Sequence, residues 1–265
     1  MKITVLIENT GTDPLCREHG LSFYIEHDSK KYLLDAGQSE GVLQNAKSLS
    51  IDLDSVDYTI LSHGHYDHAN GFLSIMEQYP EHKIYASSSV FEDYYSGSGG
   101  QIHYIGLDPN LKQKKNRFFC IDQDTKLEDN VYLIPDEKMP NESAKLYRKI
   151  GDTYLVDDLS HELTLVFDTP RGLILFNSCS HLGLEPIVTS VKKKLKRPVY
   201  AYIGGLHLKS LRHPELVTGS MAKFIRDHIS VVYTGHCTGH VAYQFLKAEL
   251  KDQIHALTTG KTFYL

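Results

Sequence analysis

Two hairpin signals, each followed by alternating strand and helix patterns, constrain this chain more than any other feature. LSFYIE at 21–26 and KYLLD at 31–35 flank a short polar turn. ELTLVF at 162–167 and GLILF at 172–176 flank the turn DTPR. Apolar, β-branched and aromatic runs bounded by turn residues read as paired strands. After the first hairpin come helical spacing at 42–49, a buried strand at 57–61, a helix at 72–79 that stops at Pro80, and a strand at 83–86. After the second come a helix at 185–196, a strand at 199–203, a helix at 215–228, a strand at 231–234 and a helix to about 250. Residues 2–8 add a leading strand and 256–263 a closing one. Hairpins that precede the crossovers in both halves predict an α/β (or α+β) fold of two sheets covered by helices, rather than one parallel dinucleotide-binding sheet. The first turn also lacks a GxGxxG.

The 265 residues are expected to form one domain spanning 1–265, with an elaboration at about 87–156. That segment reads as irregular. It holds SGSGG at 96–100, a basic run at 112–117 and an acidic stretch at 122–129, and is read either as a lid or as solvated loop. With 28 Lys and Arg against 33 Asp and Glu, the formal net charge is −5, so nucleic acid is not the expected partner. The four cysteines, Cys16, Cys120, Cys179 and Cys237, form no CxxC pair. A disulfide framework or structural zinc finger is therefore not expected, and a reducing cytoplasm is the default setting. The start MKITVLIENTG reads as a strand and not a leader, and no apolar run reaches the ~18 residues a membrane span needs. Oligomeric state is not written in the sequence.

Histidine is the unusual count, at 15 residues. Three of them stand in SHGHYDHANG at 62–71, directly after the strand at 57–61 and before a helix. In α/β folds, binding residues gather just beyond the carboxyl ends of strands. In extended backbone His63 and His65 leave on one face, and Gly64 between them eases close approach. Asp67 and His68 follow where the chain turns into the helix. Imidazole with carboxylate suits zinc, iron or manganese. Four donors do not complete two metal sites, so further ligands are expected at other strand ends. The sequence offers His181 in NSCSH, His207 in GGLH and His236 in TGHCTGH, with Cys179, Cys237 and His240 beside them.

HGHYDH is an HxHxDH motif and resembles that of the metallo-β-lactamase superfamily of metal-dependent hydrolases. With ENTG, GLSFYIE, LLDAGQS, NSCSHLG, GGLHL and GHCTG it is similar, over nearly the whole chain, to the branch of 7,8-dihydropterin-6-methyl-4-(β-D-ribofuranosyl)-aminobenzene-5′-phosphate synthases. The resemblance implies a four-layer αββα sandwich and two divalent metal ions, zinc first, with iron or manganese as alternatives. It implies His63, His65 and His181 at one ion, and Asp67, His68 and His236 at the other. A bridging aspartate is common near the end of the second hairpin. Cys179 stands in that region, either as a ligand or beside a bridge of solvent alone. His207 is read as a substrate contact before a ligand, and Glu162, after His161, as a ligand, an orienter of an imidazole or a plain strand position. Gly235, Thr238 and Gly239 are read as backbone suited to an oxyanion.

The expected chemistry is attack by a hydroxide held between the metals on a phosphodiester, phosphoester or cyclic ester of a small, anionic molecule. Asp67 would orient the nucleophile or its metal, and His207 or His236 would assist the leaving group. A pterin-related synthase is the main alternative, with Tyr94, Tyr95 and Tyr104 as ring contacts, although loop anchors is the preferred reading of those tyrosines. A di-iron redox protein and a non-catalytic metal-binding protein are the others.

Overall fold

The computed structural model describes residues 1–98 and 101–265. The chain divides into two compact units. One is Met1–Asp122 with Lys145–Asp157 and Thr258–Leu265, and the other is Gln123–Ala144 with Asp158–Leu257.

The first unit is built on a seven-stranded sheet. Its spatial order is Thr262–Tyr264, Lys2–Ile7, Ser22–His27, Lys30–Leu34, Tyr58–Ile60, Ile84–Ala86 and Phe118–Cys120. The first four strands pair antiparallel and the rest parallel. The turn between Ser22–His27 and Lys30–Leu34 is two residues long. Asp28 and Ser29 both take positive φ there, at 46° and 63°, the backbone a tight hairpin needs. Parallel neighbours need crossovers, and helices Gly41–Ser48 and Phe72–Gln78 supply them. Their apolar faces bury Val42, Ala46, Phe72 and Ile75 with Leu6 and Leu33 of the strands.

The second unit repeats this logic. Its sheet runs Ile254–Ala256, Ile229–Thr234, Val199–Ile203, Gly172–Phe176, Leu163–Thr169, Val131–Pro135 and Thr125–Glu128. Pairing is antiparallel from Thr125–Glu128 to Gly172–Phe176 and parallel beyond. Helix Leu184–Leu195 connects two of the parallel strands and ends at Lys196, which takes a left-handed conformation. Lys192, Lys193 and Lys194 in its last turn complement the helix dipole, and Lys194 pairs with Asp124 at 2.7 Å.

The hairpin-then-crossover pattern therefore appears twice, as the sequence predicts. Two expectations change. Segment 87–156 is far more regular than its composition implies. It supplies edge strands to both large sheets and an antiparallel sheet of its own, ordered Thr153–Val156, Leu146–Ile150, Asp93–Ser98 and Gln101–Tyr104. The stretch 96–100, singled out above for a lid, lies partly outside the described residues. The single closing strand expected at 256–263 is two short strands, Ile254–Ala256 and Thr262–Tyr264, in different sheets. Gly260 turns the chain between them at φ +85°. Among the described residues no helix is long and apolar enough to cross a membrane.

Candidate metal centre

The HGHYDH stretch leaves the carboxyl end of strand Tyr58–Ile60. The chain bends at His63 and Gly64 and is extended again at His65, at φ −101° and ψ 144°, which heads the short helix Tyr66–Ala69. The expected pairing results: the rings of His63 and His65 lie 4.6 Å apart, edge to face. Asp67 and His68 ride the first turn of the helix, and the His63 and His68 rings are 4.2 Å apart. His63, His65, Asp67 and His68 are all buried. A side chain at Gly64 would meet Tyr94 Cε2 and the Val90 carbonyl, each at 2.9 Å.

Asp35, which ends strand Lys30–Leu34, organises this cluster. It is fully buried and takes a left-handed conformation at φ +59°. Its Oδ1 accepts the Ser62 amide at 2.7 Å, and its Oδ2 accepts the Ser62 hydroxyl at 2.8 Å. The same Oδ2 lies 2.8 Å from His68 Nδ1. A carboxylate only accepts, so the His68 proton sits on Nδ1 and its lone pair on Nε2. The Ser62 hydroxyl has one proton and gives it to Asp35. His63 Nδ1, 2.8 Å from that hydroxyl, must then be the donor, which again leaves the lone pair on Nε2. One Asp35 carboxylate thus sets the tautomer of two histidines. Ligand atoms of Asp35, His63 and His68 lie within 4.8 Å of one another.

The second unit carries the distant candidates. His181 follows the carboxyl end of strand Gly172–Phe176, and its Nδ1 bonds the buried Glu162 carboxylate, so Glu162 orients an imidazole as Asp35 does. Asn141 Nδ2 donates to the His181 carbonyl at 2.6 Å. Behind this pair Asp136 accepts from Thr164 at 2.6 Å and from Asn177 at 2.7 Å. Burial, and then the neighbouring Glu162 charge, push the Asp136 carboxyl up to about 7. The His207 ring lies 4.4 Å from His181, after a glycine pair whose first member would drive a side chain to 1.8 Å from the Asn177 carbonyl. His236 is buried beyond strand Ile229–Thr234 at φ +48°.

Cys179 is buried, and its carbonyl accepts the Cys237 thiol at 3.5 Å. Burial alone would raise the Cys237 thiol. Hydrogen bonds from the side chains of Cys179 and His207, and the charges of His236 and His207, outweigh this and hold it well below the ordinary thiol value. Thr238 is buried in the loop that follows strand Ile229–Thr234. Its hydroxyl bonds Thr234 at 2.5 Å and accepts the Leu206 amide at 2.9 Å. The Thr238 and Gly239 amides donate to the Gly235 and His236 carbonyls at 2.9 and 3.4 Å. These groups hold the loop together. Gly239 has φ +75° and would place a side chain 3.0 Å from Lys209. Exposed His240 heads the following helix.

Three residues of these networks escape sequence reading. Asp35 and Asp136 each follow an apolar strand, a weak signal. His19, whose Nε2 is 3.3 Å from Asp67 Oδ2, has no sequence signal at all.

Residues 17–145 match the family model of the Metallo-beta-lactamase superfamily. A 7,8-dihydropterin-6-methyl-4-(beta-D-ribofuranosyl)-aminobenzene-5′-phosphate synthase from Methanocaldococcus jannaschii is 31% identical over 284 residues, covering 98% of this chain and 95% of the relative. The chain belongs to the metallo-beta-lactamase superfamily. Its fold class is that of solved members. The crystal structure of a metal-dependent hydrolase of the beta-lactamase superfamily superposes with a TM-score of 0.84 and 26% identity, over 100% of this chain and 99% of that one. A diphosphatase from the PhnP family shares the fold at a TM-score of 0.59 and 14% identity, over 100% and 97% of the two chains. The superfamily typically binds divalent metals, and the His/Asp cluster has the donor chemistry for them.

Proposed function

We propose that the protein is a metal-dependent hydrolase of small anionic esters, with phosphodiesters, phosphoesters and cyclic esters as the substrate classes. One observation carries this reading: Asp35 and Ser62 fix His63 and His68 in the tautomer that presents Nε2 as a metal donor. A carboxylate or hydroxyl that fixes the Nδ1 side of an imidazole is the usual outer support of a metal-ligating histidine. His63, His65, Asp67 and His68 are the first-unit ligands in this reading. His181 and His236 are the second-unit ligands that the family resemblance implies, with zinc the first choice of ion.

Bound divalent metal would lower the pKa of water and stabilise the developing negative charge of the transition state. The chain's own residues do the rest. Asp67 orients the metal it binds. Glu162 holds His181 in its tautomer, and in this reading His207, half-buried beside His181, donates a proton to the departing oxygen. The test is turnover of bis(p-nitrophenyl) phosphate, p-nitrophenyl phosphate and a lactone by zinc- and manganese-loaded protein. We expect metal-dependent hydrolysis of at least one, abolished in Asp67→Ala together with part of the metal content. Normal hydrolysis and full metal occupancy in that variant would contradict the role of Asp67.

The named synthase relative favours a second reading, in which the same site joins a dihydropterin to an aminobenzene ribofuranosyl phosphate. Metal-loaded protein would select it if it hydrolyses none of the three esters, yet forms a C–N bond between the 6-methyl carbon of a dihydropterin that carries a leaving group there and the amine of the aminobenzene, with release of that leaving group and the amine proton. The tyrosines offered for ring binding give it little help. Tyr94 is fully buried with its hydroxyl on the Ser89 carbonyl at 2.7 Å, and the Tyr104 hydroxyl bonds the Leu107 carbonyl at 2.7 Å.

A further inference from the structure

We infer that His19 is a positioning residue that holds the Asp67 carboxylate for metal binding, an assignment that rests on the metal-dependent reading above. His19 Nε2 lies 3.3 Å from Asp67 Oδ2. Its other ring nitrogen, Nδ1, faces the Asn9 Nδ2 amide at 3.4 Å. The Gly20 amide donates to Asn9 Oδ1 at 3.3 Å, which fixes the Asn9 side chain with its NH2 toward His19. An NH2 group only donates, so His19 Nδ1 accepts and the ring proton sits on Nε2, aimed at the carboxylate. This is the opposite tautomer to that of His63 and His68. Those rings present a lone pair at Nε2, whereas His19 presents a proton. In this tautomer Nε2 donates to the Asp67 carboxylate.

The loop that carries His19 is fixed on both sides. Upstream, Asn45 accepts the Cys16 amide at 2.8 Å and donates to the Cys16 and Leu6 carbonyls at 2.8 and 2.7 Å. Glu18, next to His19, accepts the amides of Gln38 and Ser39 at 2.9 and 3.2 Å. Downstream, Gly20 has φ +154°, and a side chain there would come within 2.4 Å of the Asp67 carbonyl. Backbone and side chain of the His19–Gly20 pair therefore both bear on Asp67. The His19 side chain is 41% exposed and that of Asp67 10%, so the contact joins a surface imidazole to a buried carboxylate. Holding one carboxylate oxygen leaves the other to a metal and removes rotamer freedom that binding would otherwise have to freeze.

The test is cobalt(II) titration of metal-free protein, followed by visible absorption, for wild type, His19→Ala and His19→Gln. We expect His19→Ala to weaken one of the cobalt-binding steps by about tenfold and leave the other unchanged. His19→Gln, which retains an N–H donor, should recover most of that loss, with thermal unfolding little altered in either variant. Wild-type cobalt affinity in His19→Ala, or no recovery in His19→Gln, would overturn the assignment while leaving the metal reading intact. Failure of the wild type itself to take up cobalt would overturn both.

Discussion

The two units orient a strand-end histidine by the same device but with different acid chemistry. In the first, a single carboxylate, Asp35, receives two donors from Ser62 and the Nδ1 proton of His68. In the second, Glu162 holds His181, and another buried acid, Asp136, sits in the adjoining Thr164–Asn177 network. One carboxylate with several donors is a closed arrangement, whereas two neighbouring buried acids repel when both ionise. The second unit is accordingly expected to carry a titratable penalty.

The sharpest way to break this contrast is to delete each orienting carboxylate in metal-free protein. Asp35→Ala leaves the Ser62 amide, the Ser62 hydroxyl and His68 without their shared acceptor. Loss of a partner from a buried pair of this kind costs about 3–5 kcal/mol. Glu162→Ala should cost less, on the order of 1–3 kcal/mol, because it also relieves repulsion on Asp136. Equal losses in urea unfolding would end the distinction.

The next effect is pH dependence. The Asp136 carboxyl titrates at about 7 in the folded chain against an ordinary 3.8. The folded state therefore binds the extra proton between those values, and stability falls as pH rises through that window. The fall is complete above 7 and amounts to roughly 4 kcal/mol at most. Asp136→Asn should flatten this part of the profile, at the cost of the Asn177 bond. A wild-type profile that rises from pH 4 to 8 and is unchanged by Asp136→Asn would contradict the account.

These comparisons also mark what the sequence makes legible. Local patterns carry well: the two hairpins, the crossover helices and the HGHYDH turn are short-range signals of period and spacing, and each appears where expected. The long-range partners do not. Asp35 meets His68 and Asp136 meets Asn177 only after strands pair, and LLDAG and LIPDE show no more than an acid at a strand end. His19 lies in a polar loop with no periodicity, and its role depends on an amide orientation in Asn9 that no spacing encodes. The small sheet at 93–156 was hidden for a different reason. Its strands are short, and Tyr104, Tyr154, Leu155 and Ile150 remain exposed, which blurs the alternation of a half-buried strand.

The most direct measurement for the central claim is elemental analysis of protein purified without chelator or added metal, repeated after reconstitution. The account predicts about two divalent transition-metal ions per chain, with zinc foremost. Near-zero metal in both preparations would contradict it and leave these oriented histidines without the ligand their tautomers imply.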